Sequence, residues 1–298
     1  MLPTLALKID VDTYVGMRDG VPALARTLAA RGVRASFFIA CGPDHSGRAI
    51  RRVLKPGFVR KMLRTNAPAM YGWRTALYGT LLPGPQIARS FPDSLQALAA
   101  AGHEVGVHGY DHVYWHDRLA SLSPAAVAAE LHRGLAVFRE LTGQPARAFA
   151  APGWQCTGAS LAAIDAAQLR YHSCTRGTAP YRPTVSSRTF QTIEIPTTWP
   201  TVDETYGEVG SDADALTRFY LTQLRPGLNV HTIHAEVEGM RHLPIFESLL
   251  DALRERVTFV RLIDVAEALD PSQLPACPVV DATTAGRAGT VATQGPPQ

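Results

Sequence analysis

Short apolar runs rich in β-branched and aromatic residues alternate along this chain with stretches whose apolar positions recur at helical spacing. The runs predict strands over residues 4–11, 34–40, 103–108, 146–150, 169–174, 229–234 and 257–262. The intervening patterns predict helices over 21–31, 93–101, 124–141, 161–168, 212–223, 243–255 and 265–269. Ser123 ahead of Pro124 gives the longest of them a good start, and Gly143 gives it a stop. Strands alternating with helices predict an α/β fold of parallel strands joined by right-handed crossovers. Its site is then expected at the C-terminal ends of the strands. Two stretches break the rhythm. Residues 42–85 are too long for an ordinary strand-to-helix connection and predict an insertion with its own structure. Residues 271–298 are dominated by Pro, Gly, Ala and Thr and predict a mostly disordered tail after a domain spanning 1–270.

With 298 residues and 46% apolar composition, the chain can bury a large core. No apolar run reaches the ~18 residues of a membrane span, and no charged region followed by an apolar one opens the sequence as an export signal would. The four cysteines lack C-x-x-C spacing and fit reduced thiols. These features predict a cytoplasmic protein.

The net charge of +3 hides an asymmetry. Between Ser46 and Pro92 there is no acid, while Arg48, Arg51, Arg52, Lys55, Arg60, Lys61, Arg64, Arg74 and Arg89 are all basic. They are interleaved with Phe58, Met62, Met70, Tyr71, Trp73 and Tyr78. A charge run is usually a solvated face, but this mixture suits a basic, amphipathic element lying on anionic lipid. Nucleic acid is disfavoured as partner, since no recognition fold or stacking platform is evident.

Three constellations could carry chemistry. Asp10-Val11-Asp12 closes the first strand, and two carboxylates this close call for a cation or a proton between them. His108-Gly109-Tyr110-Asp111-His112 follows a middle strand; on one helical turn its two imidazoles could reach one metal. Alone, that pair fits packed or surface histidines better than a site. His231-Thr232-Ile233-His234-Ala235-Glu236 ends a late strand, where alternation turns His234 toward the site and leaves His231 to the core. Ala150-Ala151-Pro152-Gly153-Trp154 ends another strand, with Trp154 as an apolar wall.

In chain order, Asp10-Val11-Asp12, the His108 and His112 pair, Pro152-Gly153-Trp154 and Ile233-His234 resemble the motifs of the NodB-type polysaccharide deacetylases. Further stretches resemble one branch of that family: Ile9-Asp10-Val11-Asp12-Thr13, Gly42-Pro43-Asp44, Leu54-Lys55-Pro56, Lys61-Met62-Leu63-Arg64, Tyr71-Gly72-Trp73 and Thr232-Ile233-His234-Ala235-Glu236-Val237-Glu238-Gly239. That branch removes the formyl group from 4-deoxy-4-formamido-L-arabinose carried on undecaprenyl phosphate, a step of lipid A modification.

The resemblance implies a distorted (β/α) barrel of the NodB-homology type and metal-dependent amide hydrolysis. Asp12, His108 and His112 would be the ligands of a divalent metal, zinc first, with cobalt, nickel or manganese suited as well. Asp10 would be the general base and His234 the general acid. Trp154, Arg176 and Glu236 are candidate substrate contacts. Arg51, Arg52, Lys55, Lys61 and Arg64 are candidates for docking on the phosphate-rich inner-leaflet surface from the cytoplasmic face. The alternatives are a deacetylase of another N-acylated amino sugar and a catalytically inactive sugar-binding module.

Two positions depart from the wider family. Ala150 stands where an Arg usually orients the base, and Cys174 where an Asp lies near the site. The partner of Asp10 is thus unassigned, with Arg176 as the candidate.

Overall fold

A computed structural model describes residues 2–49 and 74–297. Its main sheet is built from parallel strands β1 (Thr4–Val11), β2 (Ser36–Ile39), β3 (Glu104–Val107), β4 (Ala148–Ala150), β5 (Tyr171–Ser173), β8 (Ile193–Glu194), β9 (Leu228–His234) and β10 (Thr258–Val260). The order is β10-β1-β2-β3-β4-β5-β8, with β9 paired to β1. This is the distorted half-barrel that the alternating pattern and the family resemblance imply. Strand β9 runs along Thr4 to Asp10, while β10 pairs with the start of β1 and β2 with its end. Helices α1 (Val21–Ala29), α2 (Pro92–Ala100), α3 (His112–Arg118), α4 (Pro124–Thr142) and α5 (Gly158–Ala166) occur in the connections.

Period-two alternation on β1 decides where the chemistry lies. Leu5, Leu7, Ile9 and Val11 join the large core that also holds Leu24 and Leu28 of α1 and Val127 and Leu131 of α4. Ala6 belongs to the other face, with Phe38, Ala148, Ala150, Tyr171 and Val230. Lys8 and Asp10, at the same phase as Ala6, therefore project into the half-barrel. A one-residue slip would move both into the core.

On β9 the same alternation sends His231 and Ile233 outward. His231 is fully buried between Trp199 and Tyr220, with ring centroids 5.4 and 4.7 Å away, and neither nitrogen has a hydrogen bond among the described residues. Burial pushes its imidazole down to about 3. An unfolded chain takes up that proton near ~6.5 while the folded one resists it. Stability should therefore fall as pH drops from about 6.5 toward 3. Replacing His231→Phe should flatten that fall, as urea midpoints measured at pH 7, 5 and 4 would show; an unchanged pH slope would contradict this.

Two expectations need correcting. The tail after residue 270 is not disordered: β11 (Ala276–Thr283) and β12 (Thr290–Gln294) form an antiparallel hairpin. With β6 (Arg182–Val185) and β7 (Arg188–Thr189) they make a second sheet, ordered β12-β11-β6-β7. Composition misled because these strands gain order from backbone pairing, β12 with β11 and β11 with β6, and only Cys277, Val291 and Ala292 on them are fully buried. Nor do His108 and His112 share a helical turn. His108 leaves the end of β3, Gly109 turns the chain at φ 79°, and His112 opens α3 behind its cap Asp111.

The ends of the predicted insertion are anchored to each other. Asp44 N donates to Pro85 O, Pro43 bridges Gln86, and Gly47 N donates to Tyr78 O. The docking candidates Arg51, Arg52, Lys55, Lys61 and Arg64 lie outside the described residues.

Candidate active site

The ends of β1 and β3 and the first residue of α3 bring three ligand-type side chains to one point. His108 Nε2 lies 3.2 Å from Asp12 Oδ1, and His112 Nε2 lies 3.2 Å from Asp12 Oδ2. One donor atom from each falls within 4.8 Å of the others. Burial opposes the ionised form of Asp12, but the imidazoles of His112 and His108 outweigh it and hold the carboxyl well below its ordinary range. Burial likewise lowers His108, and the carboxylates of Asp10 and Asp12 more than reverse it.

His108 Nδ1 sits 3.0 Å from Ala150 O, which can only accept, so this nitrogen carries a hydrogen and Nε2 is the atom turned to Asp12. A lone pair aimed at a carboxylate oxygen is repulsive unless a proton or cation lies between them. Asp12 Oδ1 is buried with no hydrogen bond among the described residues. Two imidazoles and one carboxylate, with one tautomer fixed by a backbone carbonyl, fit a divalent metal with positions left for water and substrate.

Asp10 lies beside this triad, its Oδ1 3.9 Å from His108 Nδ1. The residue behind it is one that sequence reasoning missed. Lys8, fully buried, places Nζ 3.3 Å from Asp10 Oδ2 and donates to Ser173 O at 3.1 Å. The ammonium also lies over the rings of Trp154 and Phe38, at 5.3 and 5.9 Å. Arg176 does not take this part: its Nη1 pairs with Glu204 at 3.0 Å and its Nη2 donates to Trp199 O. The one available signal for Lys8 was a charge at the inward phase of a buried strand.

Parallel register places His234 opposite Asp10. Glu238 Oε2 accepts from His234 N at 2.8 Å, and the ring meets Trp154 edge-on at 6.3 Å. Trp154 is buried, donates Nε1–H to Thr197 Oγ1, and holds a left-handed backbone at φ 53° directly after Gly153 at φ 61°. Such conformations on a bulky residue cost energy and cluster at working sites.

Glu236 is not an open substrate contact. It is 2% exposed, its Oε2 is 3.4 Å from Asp12 N, and burial together with the charge of Asp12 raises its carboxyl well above normal. Two residues at the root of the insertion also touch the ligand loop: His45 Nδ1 lies 2.6 Å from Asp111 Oδ2, and Arg48 Nη1 lies 3.7 Å from the same oxygen.

A second ligand-type group, His172, Cys174 and Glu194, is fully buried. Glu194 already accepts from Cys174 N, Thr175 N and Thr175 Oγ1 and contacts His172 Nδ1, while burial pushes the Cys174 thiol well up. A protonated thiol and an occupied carboxylate make this a core network.

Residues 3–172 match the polysaccharide deacetylase family model. A protein of Shewanella sediminis named a probable 4-deoxy-4-formamido-L-arabinose-phosphoundecaprenol deformylase is 38% identical over 268 residues, 89% of this chain and 87% of that protein. A protein of the same name from Wigglesworthia glossinidia brevipalpis is 30% identical over 94% of this chain and 98% of its own length. A Mycobacterium smegmatis crystal structure, described as a candidate polysaccharide deacetylase, superposes with a TM-score of 0.66 at 18% identity, covering 95% of each chain. At that identity it speaks for the fold.

Proposed function

The chain belongs to the polysaccharide deacetylase family of amide hydrolases, and from that premise we propose that it removes the formyl group from 4-deoxy-4-formamido-L-arabinose linked to undecaprenyl phosphate. The products are formate and the 4-amino sugar lipid used in lipid A modification. The observation that carries the reading is the convergence of Asp12, His108 and His112 on one point, with the Lys8–Asp10 pair beside it and His234 next to Asp10 in the strand register. A module that only bound sugars would need neither base nor acid. The names of the two curated relatives support the formyl substrate.

Asp12, His108 and His112 would hold the metal, zinc first among divalent ions, and when bound it supplies a more acidic water and polarises the formyl oxygen. Asp10 is the base: as the water oxygen bonds to the formyl carbon, its carboxylate takes the water proton. Lys8 fixes that carboxylate from behind. His234 gives a proton to the sugar nitrogen as the C–N bond breaks, so the amine leaves neutral. Trp154 walls the site on the His234 side.

The basic segment within 43–85 docks the enzyme on the anionic cytoplasmic leaflet, where a polyprenyl-phosphate headgroup is presented. No described helix is long and apolar enough to cross a membrane. The test offers purified enzyme the formamido and acetamido sugar lipids side by side, in anionic and in neutral vesicles, with and without chelator. Chelator-sensitive formate release, faster on anionic vesicles, is expected. Acetate release in preference to formate would overturn the substrate assignment, and equal rates on both vesicles would overturn the docking.

A further inference from the structure

We infer that Arg287, at the tip of the β11–β12 hairpin, forms with Arg176 a binding site for the phosphodiester of a glycosyl phospholipid. This rests on the proposed substrate class and adds the C-terminal hairpin to the machinery that holds it. Arg287 Cζ lies 4.6 Å from the centroid of the Trp154 ring and Arg176 Cζ 4.9 Å from it. Both guanidiniums face a single carboxylate, Glu204, at 3.5 and 3.0 Å. In these contacts, among the described residues, two cations meet one anion, in a place where the two side chains are only 12% and 11% exposed. At such burial an excess charge attracts an anion far more strongly than on an open surface.

The two arginines are not equivalent. Arg176 spends its donors on Glu204 and Trp199 O. Arg287 makes no side-chain hydrogen bond among the described residues beyond its 3.5 Å ion pair from Nη1 to Glu204, which leaves its other donors to grip phosphate oxygens in the manner guanidinium geometry favours. Its placement is fixed by the hairpin. Gly286 has φ 75° and packs so closely that a Cβ there would lie 2.1 Å from Glu204 O, which pins the tip against the helix segment Val202–Thr205. The backbone of Arg176 pairs with the same hairpin, through Arg176 N to Ala292 O and Gln294 N to Arg176 O.

Position supplies the remaining argument. The Trp154 ring touches both the guanidinium pair and His234. In the proposed substrate the amide at C4 and the phosphate at C1 stand on opposite sides of one pyranose ring. With its C4 nitrogen at His234, the sugar would direct its phosphate past the buried edge of Trp154 toward the side where Arg287 lies.

The experiment measures calorimetric binding to the metal-loaded full chain. The probes are a short-prenyl 4-formamido-arabinosyl phosphate, the matching prenyl glycoside without phosphate, and inorganic phosphate. The phosphodiester should bind at least about 10-fold more tightly than the neutral glycoside, as one charge-assisted contact implies. Arg287→Gln should remove most of that advantage and leave the neutral glycoside bound as before, which also reports an intact fold; Arg287→Lys should keep part of it. Equal weakening of both glycosides would show that Arg287 merely clamps Trp154, and would overturn the site. Inorganic phosphate binding as tightly as the phosphodiester, with the same Arg287 dependence, would assign the site to free phosphate and overturn the lipid identification. Formate release from the same probes reads the proposed reaction separately: binding that follows this pattern without release would sink the reaction and sustain the site.

Discussion

Asp10→Asn should lower kcat by roughly 10²–10⁴-fold while the protein keeps its metal. Asparagine preserves the shape of the side chain and still accepts from Lys8, 3.3 Å away, but has no basic oxygen to take the water proton. Asp12, His108 and His112 are untouched, so metal content per chain should stay near that of the wild type. His108→Ala supplies the contrast: it removes a ligand fixed by Ala150 O and should lose metal and turnover together. Metal analysis beside single-turnover kinetics separates the two outcomes. Near-wild-type turnover in Asp10→Asn would remove Asp10 from the role of base.

The second large effect belongs to Lys8→Met. Lys8 is fully buried and Asp10 is 2% exposed, so the pair is desolvated on both sides. Deleting one partner of such a pair strands the other charge, at a cost of ~3–5 kcal/mol. The variant should therefore unfold at lower urea and lose turnover even where it is folded, because Asp10 is left without the group that aims it. A double variant distinguishes positioning from bulk packing. Lys8→Met with Asp10→Asn should be more stable than Lys8→Met alone, since no charge is left unpaired. Lys8→Arg keeps the cation and its bond to Ser173 O within reach and should recover much of the turnover, less ~1–3 kcal/mol of crowding. If Lys8→Met matched the wild type in both stability and kcat, the pairing would have no functional weight.

The strand framework was legible because burial imposes a simple rhythm. Residues 4–11 alternate between two faces, and the expected span matches β1 from Thr4 to Val11. The ends of the long helix were legible for a local reason: Ser123 accepts from Ala126 N, and Gly143 adopts φ 70°. What escaped depends on partners distant in sequence. The partner of Asp10 was sought downstream at Ala150, Cys174 and Arg176, whereas it is two residues upstream. The contact that holds Lys8 in place, Ser173 O, lies 165 residues away. The H-x-x-x-H spacing allowed a shared helical turn, but Gly109 breaks the chain between the two histidines, and the cap on Asp111 places His112 at a helix start. The C-terminal strands escaped because their composition resembles that of a solvated linker while their order comes from pairing, β12 with β11 and β11 with β6.

The pairing of β1 with β9 also sets a timetable for the chain as it is made. The side chains of Asp12, His108 and His112 are all present once His112 has been synthesised, yet Asp10 has no His234 opposite it until residue 234 emerges, and Arg287 comes later still. Lys8 waits for Ser173 before its amine has its carbonyl. A chain that stops short of residue 234 lacks the register partner of Asp10, and one that stops short of residue 287 lacks the second cation beside Glu204.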